Sequence, residues 1–172
     1  MKIKTVDLVM IGVFAALIGV LSQIAIPMPT GVPVTLQTFA VALCGYFLGA
    51  KRGAAAVIVY ILLGAVGAPV FTGFKGGFAC IGGLTGGFIY GFLAMVLLCG
   101  LSLKSKPLRI ALGIAGVIVL HFFGVLQYSL ITENGFIQSF LLVSAPYLIK
   151  DFISVVLGYF GALAVGRIKA AA

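Results

Sequence analysis

Acidic residues are almost absent from this chain. Of its 172 residues only Asp7, Glu133 and Asp151 carry carboxylates, and His121 is the sole histidine. Paired acid–base chemistry needs two such groups side by side and a metal site needs three or four ligands, so groups this widely separated supply neither. A nucleotide-binding loop of the form GxxxxGK[ST] is missing too: Gly45-Tyr-Phe-Leu-Gly49-Ala-Lys51 lacks the spacing, and GFKGG lacks the hydroxyl residue after its lysine. The chain is not expected to hydrolyse ATP by itself. GxSxG, the signature of a serine nucleophile, is also absent. Cys44, Cys80 and Cys99 stand singly in apolar or glycine-rich sequence, without CxxC spacing or nearby histidine, and read as buried free thiols rather than a metal or disulfide framework. His121 lies beside two phenylalanines and reads as hydrogen-bonded to a neighbouring helix rather than catalytic. The expectation is a protein that is not an enzyme and carries no cofactor.

What remains is apolar. Hydrophobic residues make up 63% of the chain and charged residues 8%, with a mean hydropathy of +1.32. A soluble globule must cover itself with polar groups, so this composition indicates an all-α, multi-pass membrane protein forming a single integral domain over residues 1–172. The net charge of +8 does not indicate nucleic acid, because the cations fall in short clusters between apolar runs. Dividing those runs at charges, Pro and Gly predicts six spans, at 6–26, 36–50, 53–69, 86–103, 109–131 and 146–167. The first continues past Gln23 without a small-x-small site and reads as a retained span. The second is short and is expected to be tilted or shielded by its neighbours. Pro146 lacks an amide hydrogen and suits the first turn of a helix, so it marks the start of the last span and leaves 136–145 as a separate short element.

The cations set an orientation. With the N-terminus inside, Lys2, Lys4, Lys51, Arg52, Lys104, Lys106, Arg109, Arg167 and Lys169 lie on the inner side and only Lys75 on the outer, with Lys150 inside a span. Both termini are therefore expected in the cytoplasm. Lys150 and Asp151 then sit just below the outer surface, within the last span. Charges at membrane depth normally face a cavity, a partner or a ligand, so this pair is the leading candidate for a functional site. The outer loops support a pocket there. Pro69–Gly87 carries seven glycines interleaved with Phe71, Phe74 and Phe78, and such backbone is tolerated at depth only when it is buried in protein or lines a cavity. A loop that merely packs on helix ends is the plainer alternative. IPMPTGVPVTLQT is stiffened by three prolines and places Thr30, Thr35, Gln37 and Thr38 near the second span. Gly12, Ala15, Ala16, Gly19 and Ser22 put small residues along the first span, suited either to packing within the chain or to docking a separate membrane subunit.

These residues resemble the BioY family, the biotin-specific substrate-binding subunits (S components) of energy-coupling-factor (ECF) vitamin transporters. The likeness runs through IPMPTGVPVTLQTFAVALCGYFLGAKRGAAAVIVYILLGAVGAPVFTGFKGG, LTGGFIYGF, HFFGVLQYSL and APYLIKDFISVVL, and the combination of VPVTLQT with PVF and TGG in this order is specific. The resemblance implies an S-component fold of six helices in the cell membrane, capture of biotin from outside, and uptake with a transmembrane coupling protein and paired ATPases that alone use ATP. Candidate ligand-binding residues are Asp151, Lys150, Lys75, Gln37, Phe74, Gly76, Gly77, Thr85, Gly86, Gly87, Tyr90 and Ser154. Gly12, Ala15, Ala16 and Gly19 are the candidates for partner docking. Biotin offers two ureido N–H donors, a carbonyl, an apolar sulfur ring and a carboxylate, so Asp151 suits an N–H and Lys150 or Lys75 an oxygen. Many family members resemble G-D-x-x-K at the last motif, whereas Ser154 stands here at the lysine position. Lys150 is one turn from it on the same helical face, where it either serves the pocket in that lysine's stead or snorkels to the headgroups. Leu84 likewise stands where PTGG is more usual. An S component for another vitamin, or a stand-alone secondary transporter of a small carboxylate, are the alternative functions.

Overall fold

The computed structural model describes residues 4–171, with side chains as far as Gly166. Lys2 and the side chains of Arg167 and Lys169, three of the expected inner cations, lie outside the described residues. Among those residues the order is α1 (Thr5–Ser22), β1 (Ala25–Ile26), β2 (Val34–Thr35), α2 (Gln37–Leu48), α3 (Ala50–Ala65), α4 (Phe78–Gly82), α5 (Gly86–Cys99), α6 (Lys106–Thr132), α7 (Phe136–Val143) and α8 (Ala145–Ala171). Each of the six apolar runs contains one helix of twelve residues or more. The structure is mostly helical, with one correction to the all-α expectation: β1 and β2 pair antiparallel, Ala25 with Thr35 and Ile26 with Val34. Pro27, Pro29 and Pro33 keep the intervening segment out of helix, and the ribbon ends the first helix at Ser22 rather than at residue 26.

Three helices, Thr5–Ser22, Lys106–Thr132 and Ala145–Gly166, are long and apolar enough to cross a membrane. Their flanks carry exposed Val13, Ile118, Phe122, Leu157 and Phe160. An apolar exterior of this kind is stable only against something equally apolar. α2 is the opposite case, with twelve residues of which nine are buried. It lies in the middle of the bundle against α8, α5, α3 and α1, so the short second run is shielded. Gly49 (φ +78°) breaks the chain between α2 and α3, and the Ala50 N–H that follows donates to the Gly100 carbonyl at 3.0 Å. The expected short element at 136–145 is α7, and Pro146 sits in the first turn of α8.

Close helix contact, rather than cavity lining, accounts for several glycines. A Cβ on Gly91 would fall 2.7 Å from Leu120 Cα, and one on Gly87 would fall 2.1 Å from the Phe123 carbonyl oxygen. α5 and α6 therefore touch backbone to backbone, which fixes Phe88 of one against His121 of the other, ring centroids 5.7 Å apart and edge-on. At the end of the bundle far from β1 and β2, the Arg109 guanidinium lies over the Tyr46 and Tyr159 rings, 5.9 and 5.4 Å from their centroids. Tyr46 donates its hydroxyl to the Arg109 carbonyl at 3.2 Å, tying α2 to α6.

Overpacking of the α5–α6 contact is the first measurable consequence. Gly91→Ala is expected to destabilise the protein in detergent by about 1–3 kcal/mol. Gly12 has nothing within 4 Å of an added Cβ, so Gly12→Ala is expected to be neutral or stabilising by up to about 1 kcal/mol through helix propensity. Thermal melting of the two variants side by side checks the contrast.

Candidate ligand-binding site

Loops and helix ends enclose a cavity of ≈ 360 Å³ at the end of the bundle where α1, α3 and α6 finish and α2, α5 and α8 begin. Small-molecule pockets start at about 300 Å³, so the space suits one compact ligand. Much of the wall is apolar, with Phe88, Ile89 and Phe92 from α5 and Leu120 from α6. The polar groups gather in two places.

The first is the start of α8. Tyr147, Lys150 and Asp151 all line the cavity, as the three- and four-residue spacings of a helix face dictate. Asp151 is 4% exposed, so its charge stands in a low-dielectric setting and needs partners. It has two. The Lys150 ammonium pairs with its Oδ1, and His121 Nε2 lies 3.1 Å from its Oδ2. Lys150 also donates to the Thr35 carbonyl at 2.9 Å, which turns the ammonium inward rather than toward headgroups. On the far side of the imidazole, His121 Nδ1 lies 3.0 Å from Ser144 Oγ, in the junction between α7 and α8. His121 thus bonds to neighbouring helices, as its sequence setting suggests. Asp151 Oδ1, although beside the ammonium, accepts no well-aligned hydrogen bond from the described residues.

The second polar group surrounds Gln37 at the start of α2. Thr35 and Thr72 both donate hydroxyls to its Oε1 at 3.2 Å, and its Nε2 donates to the Tyr60 hydroxyl at 2.6 Å. The amide is thereby held rigid with one N–H left over. Over the cavity, the loop joining β1 to β2 is clamped from two helices. Tyr147 donates to the Val32 carbonyl at 2.7 Å and Tyr128 to the Thr30 carbonyl at 3.3 Å, while Val32 packs with Val125, Tyr128 and Val143.

A mostly apolar cavity with a charge pair whose carboxylate is buried suits a small polar-headed molecule. The BioY family model matches residues 1–171. The chain belongs to the BioY family. Among its relatives, the biotin transporter BioY of Thermotoga maritima is 43% identical over 122 residues, covering 69% of this chain and 72% of that protein. The biotin transporter BioY of Rhodobacter capsulatus is 36% identical over 166 residues, 87% of each chain. The probable biotin transporter BioY of Pyrococcus horikoshii is 38% identical over 153 residues, covering 89% of this chain and 90% of that one. A crystal structure of the S-component for biotin from an ECF-type ABC transporter shares the fold, with TM-score 0.78 and 23% identity over 98% of this chain and 95% of that one. These relatives are transporter components, and the chain is not an enzyme.

Within this BioY fold the expected site residues divide. Asp151, Lys150, Lys75, Gln37 and Thr85 line the cavity. Phe74 does not: it is 73% exposed and adopts φ +56°, with its N–H donating to Gln23 Oε1 at 2.8 Å, so its ring turns away from the cavity. Gly76 packs under the Ala68 and Gly67 carbonyls, and Gly77 supplies the φ of +100° before α4. Gly86 fits beneath the Ile81 carbonyl and the Gln127 amide, and Gly87 meets α6. Tyr90 donates to the Ile81 carbonyl at 3.2 Å and faces outward. Ser154 is buried one turn beyond the cavity floor. On α1, Ala15 and Gly19 are buried within the chain, whereas Gly12 and Ala16 are exposed. Of the phenylalanines expected to stack on a ligand, Phe71 packs edge-on against Tyr60 and Phe78 is exposed; Phe88 and Phe92 take the wall instead. Tyr147 stands four residues before Asp151, a spacing visible in the sequence. Thr72, Phe88 and His121 reach the cavity only through tertiary packing.

The Tyr147 clamp is testable without a ligand. Tyr147→Phe removes the hydrogen bond to the Val32 carbonyl and the longer one to Thr30 Oγ1 at 3.4 Å, together worth about 1–2 kcal/mol, and is expected to speed amide exchange in the segment 28–34 while leaving α8 protected. Mass-spectrometric hydrogen exchange reads both regions; unchanged exchange in 28–34 would show that the hydroxyl does not hold the loop.

Proposed function

We infer that this chain captures biotin from outside the cell and acts as the substrate-specific membrane subunit of an ECF transporter. The observation that carries this is the buried Asp151 carboxylate, beside Lys150 on the floor of a cavity of ≈ 360 Å³, in a chain whose relatives are named biotin transporters. Biotin presents N–H donors to a carboxylate, a carbonyl to an ammonium and an apolar bicycle to phenylalanine walls. Asp151 takes a ureido N–H, Lys150 the ureido oxygen, and Phe88 and Phe92 the ring system. Gln37 and Thr85 line the polar side. Lys75, exposed near the mouth, takes the carboxylate tail.

In the bilayer, α1, α2, α3, α5, α6 and α8 form the six spans. At about 1.5 Å per residue, α2 reaches only part of the depth of the hydrocarbon core, and the surrounding helices shield it. The excess of Lys and Arg at the end opposite the cavity puts both termini in the cytoplasm and opens the cavity outward. The membrane is the cell membrane. A transmembrane coupling protein and paired ATPases complete the transporter and supply ATP hydrolysis, with the exposed Gly12 and Ala16 flank of α1 as the docking surface.

Purified protein in detergent is expected to bind labelled biotin, and Asp151→Asn to weaken it by about 1–3 kcal/mol with the fold retained. Equal affinity in the variant would remove Asp151 from the site, and preference for thiamin or riboflavin would replace the ligand. Proteoliposomes holding this chain alone are expected to bind but not accumulate biotin. Accumulation driven by a proton or sodium gradient would make it a secondary transporter instead.

A further inference from the structure

His121 lies in the cavity wall without a ligand contact in the binding scheme, and side chains from three other elements converge on it. It projects from α6, meets Asp151 of α8 at 3.1 Å, Ser144 of the α7–α8 junction at 3.0 Å, and the edge of Phe88 of α5. The imidazole is 3% exposed and Ser144 fully buried. Ser144 does not line the cavity, so the Ser144–His121–Asp151 row presents no nucleophile to a ligand. Its chemistry is that of a support.

Proton counting assigns the direction of each bond. An ionised carboxylate only accepts, so the nitrogen facing Asp151 carries the hydrogen. Neutral imidazole has one N–H, which leaves Nδ1 as an acceptor for the Ser144 hydroxyl. With this tautomer the Ser144 hydroxyl and both imidazole nitrogens are satisfied, and Asp151 Oδ1 alone in the row is left without an aligned donor among the described residues.

We propose that His121 is a positioning residue for ligand binding: oriented by Ser144, it holds Asp151 Oδ2 and leaves Oδ1 as the acceptor for a ligand N–H. Lys150 cannot perform this task, because its flexible stem and partly exposed ammonium follow the carboxylate rather than fix it. Imidazole, pinned at both nitrogens and along its edge, does fix it. The proposal deepens the biotin reading and rests on it for the identity of the ligand.

Because the chain has a single histidine, selective ¹⁵N-histidine labelling reads the tautomer of His121 directly in the ligand-free protein. Protonated Nε2 with bare Nδ1 is expected. The opposite tautomer, or an exchanging mixture, overturns the assignment whether or not biotin binds. Affinity then tests the role. Glutamine places its amide near the Nε2 position and asparagine near Nδ1, so His121→Gln is expected to bind biotin within about 3-fold of wild type. His121→Asn and His121→Leu are expected to lose about 10- to 100-fold, the range of a lost hydrogen bond to a charged group. In an Asp151→Asn background the further change His121→Leu is expected to cost less than about 3-fold, since the two act through one atom. Equal loss in the Gln and Asn variants, or full additivity with Asp151→Asn, reduces His121 to packing. Absence of biotin binding in wild type with the expected tautomer present would instead fail the biotin reading and leave the orientation of Asp151 standing.

Discussion

A buried carboxylate paired with a half-buried ammonium in an apolar bundle constrains everything around it. Removing two such ions from water costs several kcal/mol each, and their mutual attraction offsets this only with good geometry and further hydrogen bonds. The structure supplies these from three directions: His121 from α6, the Thr35 carbonyl from the β-ribbon, and the cavity itself on the open side. Each supplier must in turn be held in place. The ribbon meets the pair through the Thr35 carbonyl and the α7–α8 junction reaches it through Ser144 and His121, so a displacement of either costs the pair a hydrogen-bonding partner.

The rest of the bundle converts that requirement into helix placement. Backbone contact between α5 and α6, possible only where Gly87 and Gly91 lack side chains, sets Phe88 against His121 and so sets the imidazole against Asp151. α2 is short because it is central. Surrounded by other helices, it has no hydrocarbon to span alone, and its first turn carries Gln37 into the cavity wall. The apolar flanks of α1, α6 and α8 are the complement of this interior, and they belong in lipid. In a BioY-family chain this arrangement separates the roles by face: polar side chains at one end line the cavity, the flanks are apolar, and small residues govern how closely helices approach.

Much of this was legible in residue order. Hydrophobic runs located the six helices of twelve residues or more, Pro146 located the start of α8, and the separate element before it emerged as α7. Lys150 and Asp151 stood out because charge is costly in apolar sequence, and both do line the cavity. Glycine was harder to interpret. Gly86 and Gly87 are expected from the sequence among the ligand-binding residues, with packing on helix ends the plainer alternative, and contact with Ile81, Gln127 and Phe123 selects the packing. Phe74, Tyr90 and Ser154 likewise carry suitable chemistry on backbone that points elsewhere, because a positive φ or one further helical turn redirects a side chain without any mark in composition.

By itself the sequence determined the class, the order of the longer helices and which charges stand in apolar sequence, since those follow from local hydropathy and the cost of desolvating ions; the short α4 was not legible in it. Tertiary structure alone decided which polar groups meet those charges. His121, Ser144 and Thr72 lie far in sequence from the residues they serve, and a hydrogen bond depends on distance and angle across packed helices, which no local pattern specifies.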